Sequence, residues 1–238
     1  MKVFSIAVLL VLLTCTGCKA VDDSQSVVSR QSSVVAAESV VVPESSAAPV
    51  SVAAVVSQNG SVLIDSFEGD ISGGPQGTVD YGSGNGSSVV VSAATDIKQD
   101  GLQSLKVEYD AIQDGYMWMA RGFGLDAVNA AWIVMNTDID WTVYANLSFS
   151  LYGNAGKEVI AVDVKDAGGE MWRYKITDDT AGWKTVVCPL NQFEARSDWQ
   201  PDSADKNGMM DFPLKSYQFE VLAPAKGVVY FDKVELTK

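Results

Sequence analysis

The sequence predicts an all-β domain, a sandwich or jelly roll of stacked antiparallel sheets, on three observations. Apolar and polar residues alternate with period two in short runs, turn signals separate those runs, and no stretch carries a convincing amphipathic-helix period. In chain order, Leu147, Phe149 and Leu151 alternate with Ser148, Ser150 and Tyr152, and Gly153-Asn154-Ala155-Gly156 ends that run. Asp166-Ala167-Gly168-Gly169 precedes the next, in which Trp172, Tyr174 and Ile176 alternate with Met171, Arg173 and Lys175 up to the turn at Asp178 to Gly182. Tyr217 and Phe219 then alternate with Ser216, Gln218 and Glu220. Successive strand side chains point to opposite faces, so each run predicts one buried and one exposed face. Strands at this spacing make a sandwich or a jelly roll. The glycines at Gly82, Gly84 and Gly86 open no helix, so they read as a loop and not as a phosphate cradle.

The first residues read as an address. Lys2 precedes an apolar run from Val3 to Leu13, and Thr16-Gly17-Cys18 supplies small residues before a cysteine. The run is too short to span a bilayer, and the order of regions is that of a secretory signal peptide. It resembles bacterial lipoprotein signals, which implies cleavage before Cys18 and lipid on that thiol; plain secretion is the alternative. The organisation expected is therefore a signal over 1–17, a tether over 18–61 and one domain over 62–238. The tether is rich in Ser, Val and Ala and has no aromatic residue to build a core. As a coil of about forty residues it would span roughly 35 Å, enough to hold a domain off a lipid surface. The expected location is the cell envelope, with membrane contact only through the lipid.

Composition excludes several functions. The formal charge is −13, and loss of Lys2 with the signal takes it to −14. That field opposes nucleic acids and anionic membranes as partners but leaves a neutral ligand such as a sugar unaffected. The chain has no histidine, which removes Ser/His and Cys/His nucleophiles. Cys188 is the one cysteine outside the signal region, so the domain has no internal disulfide and no Cys/His zinc set. A monomer is expected.

The chemistry that remains is aromatic. Six tryptophans and eight tyrosines stand in a chain without a cofactor motif. A pyranose offers an apolar face of C–H groups and a rim of hydroxyls, matched by an exposed ring and by planar polar side chains. Arg173, Gln218 and Glu220 are outward in phase and fit the polar half. Tyr116 and Trp118 lie two apart and share a face if extended. Trp199, in Asp198-Trp199-Gln200-Pro201, has the polar surroundings of an exposed ring. Trp172 and Trp183 fall in core phase, whereas Trp132 and Trp141 are open between core and surface.

From Leu63 onward the chain resembles a family 11 carbohydrate-binding module, a galactose-binding-like jelly roll. The resemblance rests on Asp65-Ser66-Phe67-Glu68-Gly69, Asp114-Gly115-Tyr116, Asp140-Trp141, Gly169 through Tyr174 and Gly182-Trp183-Lys184-Thr185. It continues through Phe193, Arg196 through Pro201, and Val229 through Leu236. It implies a cleft for β-1,3-1,4-mixed-linkage glucan and cellulose chains. By that resemblance Tyr116 is a binding tyrosine with Asp114 the acid before it. Arg196, Asp198 and Trp199 match a binding Arg, Asp and ring, and Ser216 a serine beside the cleft. Family ring positions are occupied here by Gln76 and Val221, and family histidines by Met171 and Gln218. The resemblance also implies structural calcium where the ends of the domain meet, with Asp65, Glu68 and Asp232 as oxygen ligands; ordinary turn acids are the alternative reading. No cofactor is expected to take part in chemistry.

Binding without cleavage is the function these readings favour, and no enzyme is expected. The enzyme alternative is a jelly-roll glycosidase with two carboxylates across a cleft, for which Asp138 and Asp140 are the nearest pair. A protein-binding surface lipoprotein would show a large apolar patch in place of an aromatic cleft.

Overall fold

The computed structural model describes residues 60–238; the signal, the lipidation residue Cys18 and nearly all of the expected tether lie outside them. Two six-stranded antiparallel sheets make up the described chain. The first contains β1 (Val62–Asp65), β3 (Ser88–Ala94), β4 (Ser104–Ala111), β6 (Asn146–Asn154), β9 (Ala181–Pro189) and β12 (Ala225–Thr237). Its order is β3-β4-β12-β6-β9, with β1 paired to β12. The second contains β2 (Asp80–Gly84), β5 (Tyr116–Gly122), β7 (Val159–Lys165), β8 (Met171–Thr177), β10 (Glu194–Ala195) and β11 (Ser216–Val221), in the order β10-β8-β7-β11-β5-β2. Helix is confined to two 3-10 turns, Asn136–Asp138 and Leu190–Gln192, among the described residues.

The core lies between the sheets, and the alternating runs supply it. Phe149 of β6, Phe231 of β12 and Phe219 of β11 meet there, Phe219 and Phe231 stacking at 4.0 Å between centroids. Full burial of such a ring stabilises by about 1.5–3 kcal/mol relative to exposure. Leu147, Leu151 and Tyr217 are buried beside them. Ser148 and Ser150 are buried as well, against expectation, on the opposite face of β6. β6 is hydrogen-bonded on both edges, to β9 and β12, and Ser148 Oγ is satisfied by the Val186 carbonyl. Trp172 and Trp132 are core. Trp183, expected in the core, is only half-buried, its ring edge-on to Tyr152. Trp141 is half-buried and stacks on Phe212 at 5.4 Å.

A buried ion pair ties the sheets together. Asp65 of β1 accepts from Arg121 Nε at 2.6 Å and Nη2 at 3.1 Å, and from the Tyr217 hydroxyl at 2.8 Å. Burial works against the Arg121 charge, but the Asp65 carboxylate outweighs it and holds the guanidinium charged. Asp65 belongs to the first sheet and both its partners to the second. Gly82 and Gly84, expected in a loop, lie in β2, the edge strand beside β5. No helix of the described residues is long and apolar enough to cross a membrane.

Candidate functional site

The phase that sends Tyr217, Phe219 and Val221 into the core sends Ser216, Gln218 and Glu220 to the outer face of the second sheet. Gln218 stands opposite Ala120 of β5 on one side and Asp163 of β7 on the other. Asp163 in turn stands opposite Arg173 of β8. A cleft of about 680 Å³ opens on this face. Tyr116 and Trp118 of β5 line it on one side and Arg196, Asp198 and Trp199 on another, with Ser216, Gln218 and Glu220 between. Tyr116 is 48% exposed and Trp199 54%, while Met117, between the β5 rings, points into the core.

The floor is an ion-pair network around Asp163, which is fully buried. Its carboxylate accepts from Arg173 Nε at 2.7 Å, Arg196 Nη1 at 2.9 Å and Gln218 Nε2 at 3.2 Å. Arg173 also holds Glu220, and Arg196 grips Asp198 with a two-bonded fork at 3.0 and 2.8 Å. That fork holds the Asp198 carboxyl down at about 2, so it is an ionised acceptor at neutral pH. Burial pushes the Glu220 carboxyl up, and Arg173 and Arg196 pull against it. At the β2 edge burial raises Asp80, whose Oδ2 accepts from the Asp126 amide.

The loop at 196–201 is built to present a ring. Gln200 Nε2 donates to the carbonyls of Met171 and Arg196, and its Oε1 accepts from the Met171 amide. With Gln200 tying the loop to β8 and Asp198 locked on Arg196, Trp199 is left outward, its ring 5.6 Å from the Arg196 guanidinium carbon.

These features carry the comparison with known proteins. The family described as "Carbohydrate binding domain (family 11)" matches residues 46–238. The chain belongs to that family. Endoglucanase H of Acetivibrio thermocellus is 27% identical to this family 11 domain over 185 residues, which is 74% of this chain and 18% of that protein. The chain thus spans under a fifth of that relative's length. Among solved structures, the family 11 module of the cellulosomal cellulase Lic26A-Cel5E of Clostridium thermocellum has a TM-score of 0.57 at 24% identity, covering 75% of this chain and 94% of that one. A Clostridium thermocellum family 11 module in complex with a β-1,3-1,4-mixed-linked tetrasaccharide scores 0.56 at 24% identity, covering 74% and 95%. These likenesses establish the two-sheet sandwich.

Eight of the ten expected binding residues line the cleft of the family 11 domain. Asp114 does not: it sits with φ 63° in the exposed turn before β5, where its carbonyl accepts from Asn85. Arg173 does not either; it lies beneath the cleft and lines a neighbouring groove of about 440 Å³ beside β10. It shares a face with the cleft-lining residues, but its charge is spent on Asp163 and Glu220. Val221 is core and Gln76 is exposed, and neither lines the cleft, whereas Met171 and Gln218 do. Asp163, Lys165, Asp80, Asp126 and the clamp made by Gln200 escaped the sequence reading. The one signal for Asp163 is an acid in the middle of an apolar strand, Val159 through Val164.

The three expected calcium ligands do not act as a set. Asp65 is engaged by Arg121 and Tyr217, which take up its oxygens in the core. Among the described residues no group of three or more His, Cys, Asp or Glu side chains is placed to hold a metal. Glu68, after β1, and Asp232, in β12, both hold the segment 99–102: Glu68 Oε1 accepts from the Leu102 amide, and Asp232 Oδ2 accepts from the Gln99 and Asp100 amides. Asp232 Oδ1 is buried without a hydrogen-bond partner, an orphan that a hard cation fits. Cys188 is buried, and burial pushes its thiol up to about 12.

Proposed function

We propose that this family 11 domain binds a β-glucan, mixed-linkage glucan or cellulose chains, in the cleft and does not cleave it. The observation that carries the reading is the pairing of exposed rings, Tyr116 and Trp199 with Trp118, with a floor of fixed planar polar groups. Rings match the sugar face, and Asp198, Gln218 and Arg196 match its hydroxyls. The mixed-linked tetrasaccharide bound by the similar clostridial module supports the ligand class.

Non-catalytic binding is favoured over hydrolysis by the state of the carboxylates. Glu220 and Asp198 are each held by guanidinium groups, so neither is free to pass a proton to a glycosidic oxygen. Asp138 and Asp140 lie outside the cleft, exposed, with Asp140 accepting from Thr142. The enzymatic activity named for endoglucanase H is not carried to this chain. Calorimetric titration with mixed-linkage glucan tests the proposal: saturable binding supports it, and absence of heat with every β-glucan contradicts it.

The chain's place in the envelope is the second part of the proposal. Thr16-Gly17-Cys18 supports lipid on Cys18. Labelled palmitate should enter the wild type in a bacterial host and not Cys18→Ala; equal labelling would remove the anchor. For calcium, the proposal is narrowed to Glu68 and Asp232, where the ion would tie the segment after β1 to β12 and have no part in sugar binding.

A further inference from the structure

We propose that Gly82 and Gly84 of β2 are positioning residues that seat Trp118 and Tyr116 as a flat two-ring platform along β5. The inference rests on the sugar-binding reading of the cleft. β2 is an edge strand whose strand partner among the described residues is β5, and its two glycines stand opposite the two rings: Gly82 pairs with Trp118 and Gly84 with Tyr116. The residue pairs are in register, so the space above each glycine is where the facing side chain falls.

That space is taken. A Cβ on Gly82 would stand 3.2 Å from Trp118 Cζ2 and 3.3 Å from both Cε2 and Nε1. A Cβ on Gly84 would stand 2.5 Å from the Tyr116 hydroxyl oxygen, closer than real Cβ contacts allow. Each ring therefore lies across the edge strand against bare backbone. A Cβ at Gly84 forces the Tyr116 ring to shift, and at Gly82 a Cβ alone makes the indole give by a few tenths of an ångström while a branched side chain such as valine must displace it further.

The backbone gives no reason of its own for these glycines. Neither has a positive φ, so both hold conformations open to any residue. Glycine inside a strand weakens it, by entropy and by the missing side chain. Tyr81 and Ser83, the intervening residues, point to the other face and are ordinary strand choices. What the glycines provide is the seat. Trp118 and Tyr116, two residues apart, then offer ring faces about 7 Å apart along β5. A chain lying along β5 meets two stacking positions in succession before it reaches Trp199, while the positions at Gln76 and Val221 offer no ring to the cleft.

The test is a double-mutant cycle of Gly82→Val and Trp118→Ala, with affinity for mixed-linkage glucan read by calorimetry and stability by thermal melts. Trp118→Ala and Gly82→Val are each expected to weaken binding about tenfold, the effect of losing one stacked ring. Gly82→Val should melt no lower than the wild type, because valine suits a strand better than glycine. In the Trp118→Ala background Gly82→Val should cost no further affinity, since the ring it displaces is already gone. If the valine variant fails to fold, Gly82→Ala, which makes the indole give by a few tenths of an ångström, repeats the cycle. Wild-type affinity in the glycine variants overturns the inference, as does an equal loss with and without Trp118. Absence of wild-type binding is a failure of the glucan reading instead. The seat is then judged by acrylamide quenching of tryptophan emission, which Gly82→Val must change in the wild type and leave unchanged in Trp118→Ala.

Discussion

Trp199 is the ring whose exposure is most firmly enforced by its neighbours. Asp198 is locked to Arg196, Gln200 to Met171, and the indole between them has no core to enter. Trp199→Ala should therefore lose about 1–3 kcal/mol of binding, roughly tenfold to hundredfold, by analogy with base stacking on aromatic residues. Its melting temperature should stay at the wild-type value. Trp172→Ala, by contrast, removes a core ring whose Nε1 donates to Asp166, and should cost about 3–5 kcal/mol of stability. Calorimetry and melts of both variants check this; a Trp199→Ala protein that binds as well as the wild type would misplace the cleft. At this scale polar flanking residues made Trp199 legible. Arg173 was legible only as to its face, because alternation says which way a side chain points and not what lies on top of it. Asp163 left only the signal of an acid within an apolar strand, because its role depends on Arg173, Arg196 and Gln218, which come from elsewhere in the chain.

The strands that alternate cleanly, β6, β8 and β11, are legible from sequence because each has a distinct inner row of large apolar groups. β3 is not: Ser88-Val89-Val90-Val91-Ser92-Ala93-Ala94 has no such row. β2 is not either, since its glycines are explained by rings on the adjacent strand. β1 shows how an element's meaning depends on its partners. Asp65 at its end, a calcium ligand by the family resemblance, is also the counter-charge of Arg121. Asp65→Asn should cost about 3–5 kcal/mol, the usual result of leaving one partner of a buried pair uncompensated. The loss should be the same with and without a calcium chelator, whereas an added ligand role for Asp65 would make it smaller once calcium is removed. The same melts bear on Glu68 and Asp232: a chelator should lower the wild-type melting temperature, and an unchanged melt would remove calcium from that pair.

At the scale of the whole molecule, a sandwich divides its labour between faces. The inner faces hold the phenylalanine stack, and the outer face of the second sheet is free to carry rings and polar groups over a rigid floor. The all-β class, the sandwich and the cleft side of β11 were legible in the sequence because period-two alternation reports burial directly. The depth of the ion-pair floor was not, because it is made between strands distant in the chain. The proposal of binding without cleavage rests on a cleft in which Tyr116 and Trp199 are exposed and the central acids Asp198 and Glu220 are held by arginine. Titration of the purified wild-type domain with mixed-linkage glucan, with reducing ends measured in the same mixture over a prolonged incubation, tests that claim most directly. Saturable heat with a constant number of reducing ends is the predicted result; no saturable heat, or a steady rise in reducing ends abolished by replacing one cleft carboxylate, would contradict it.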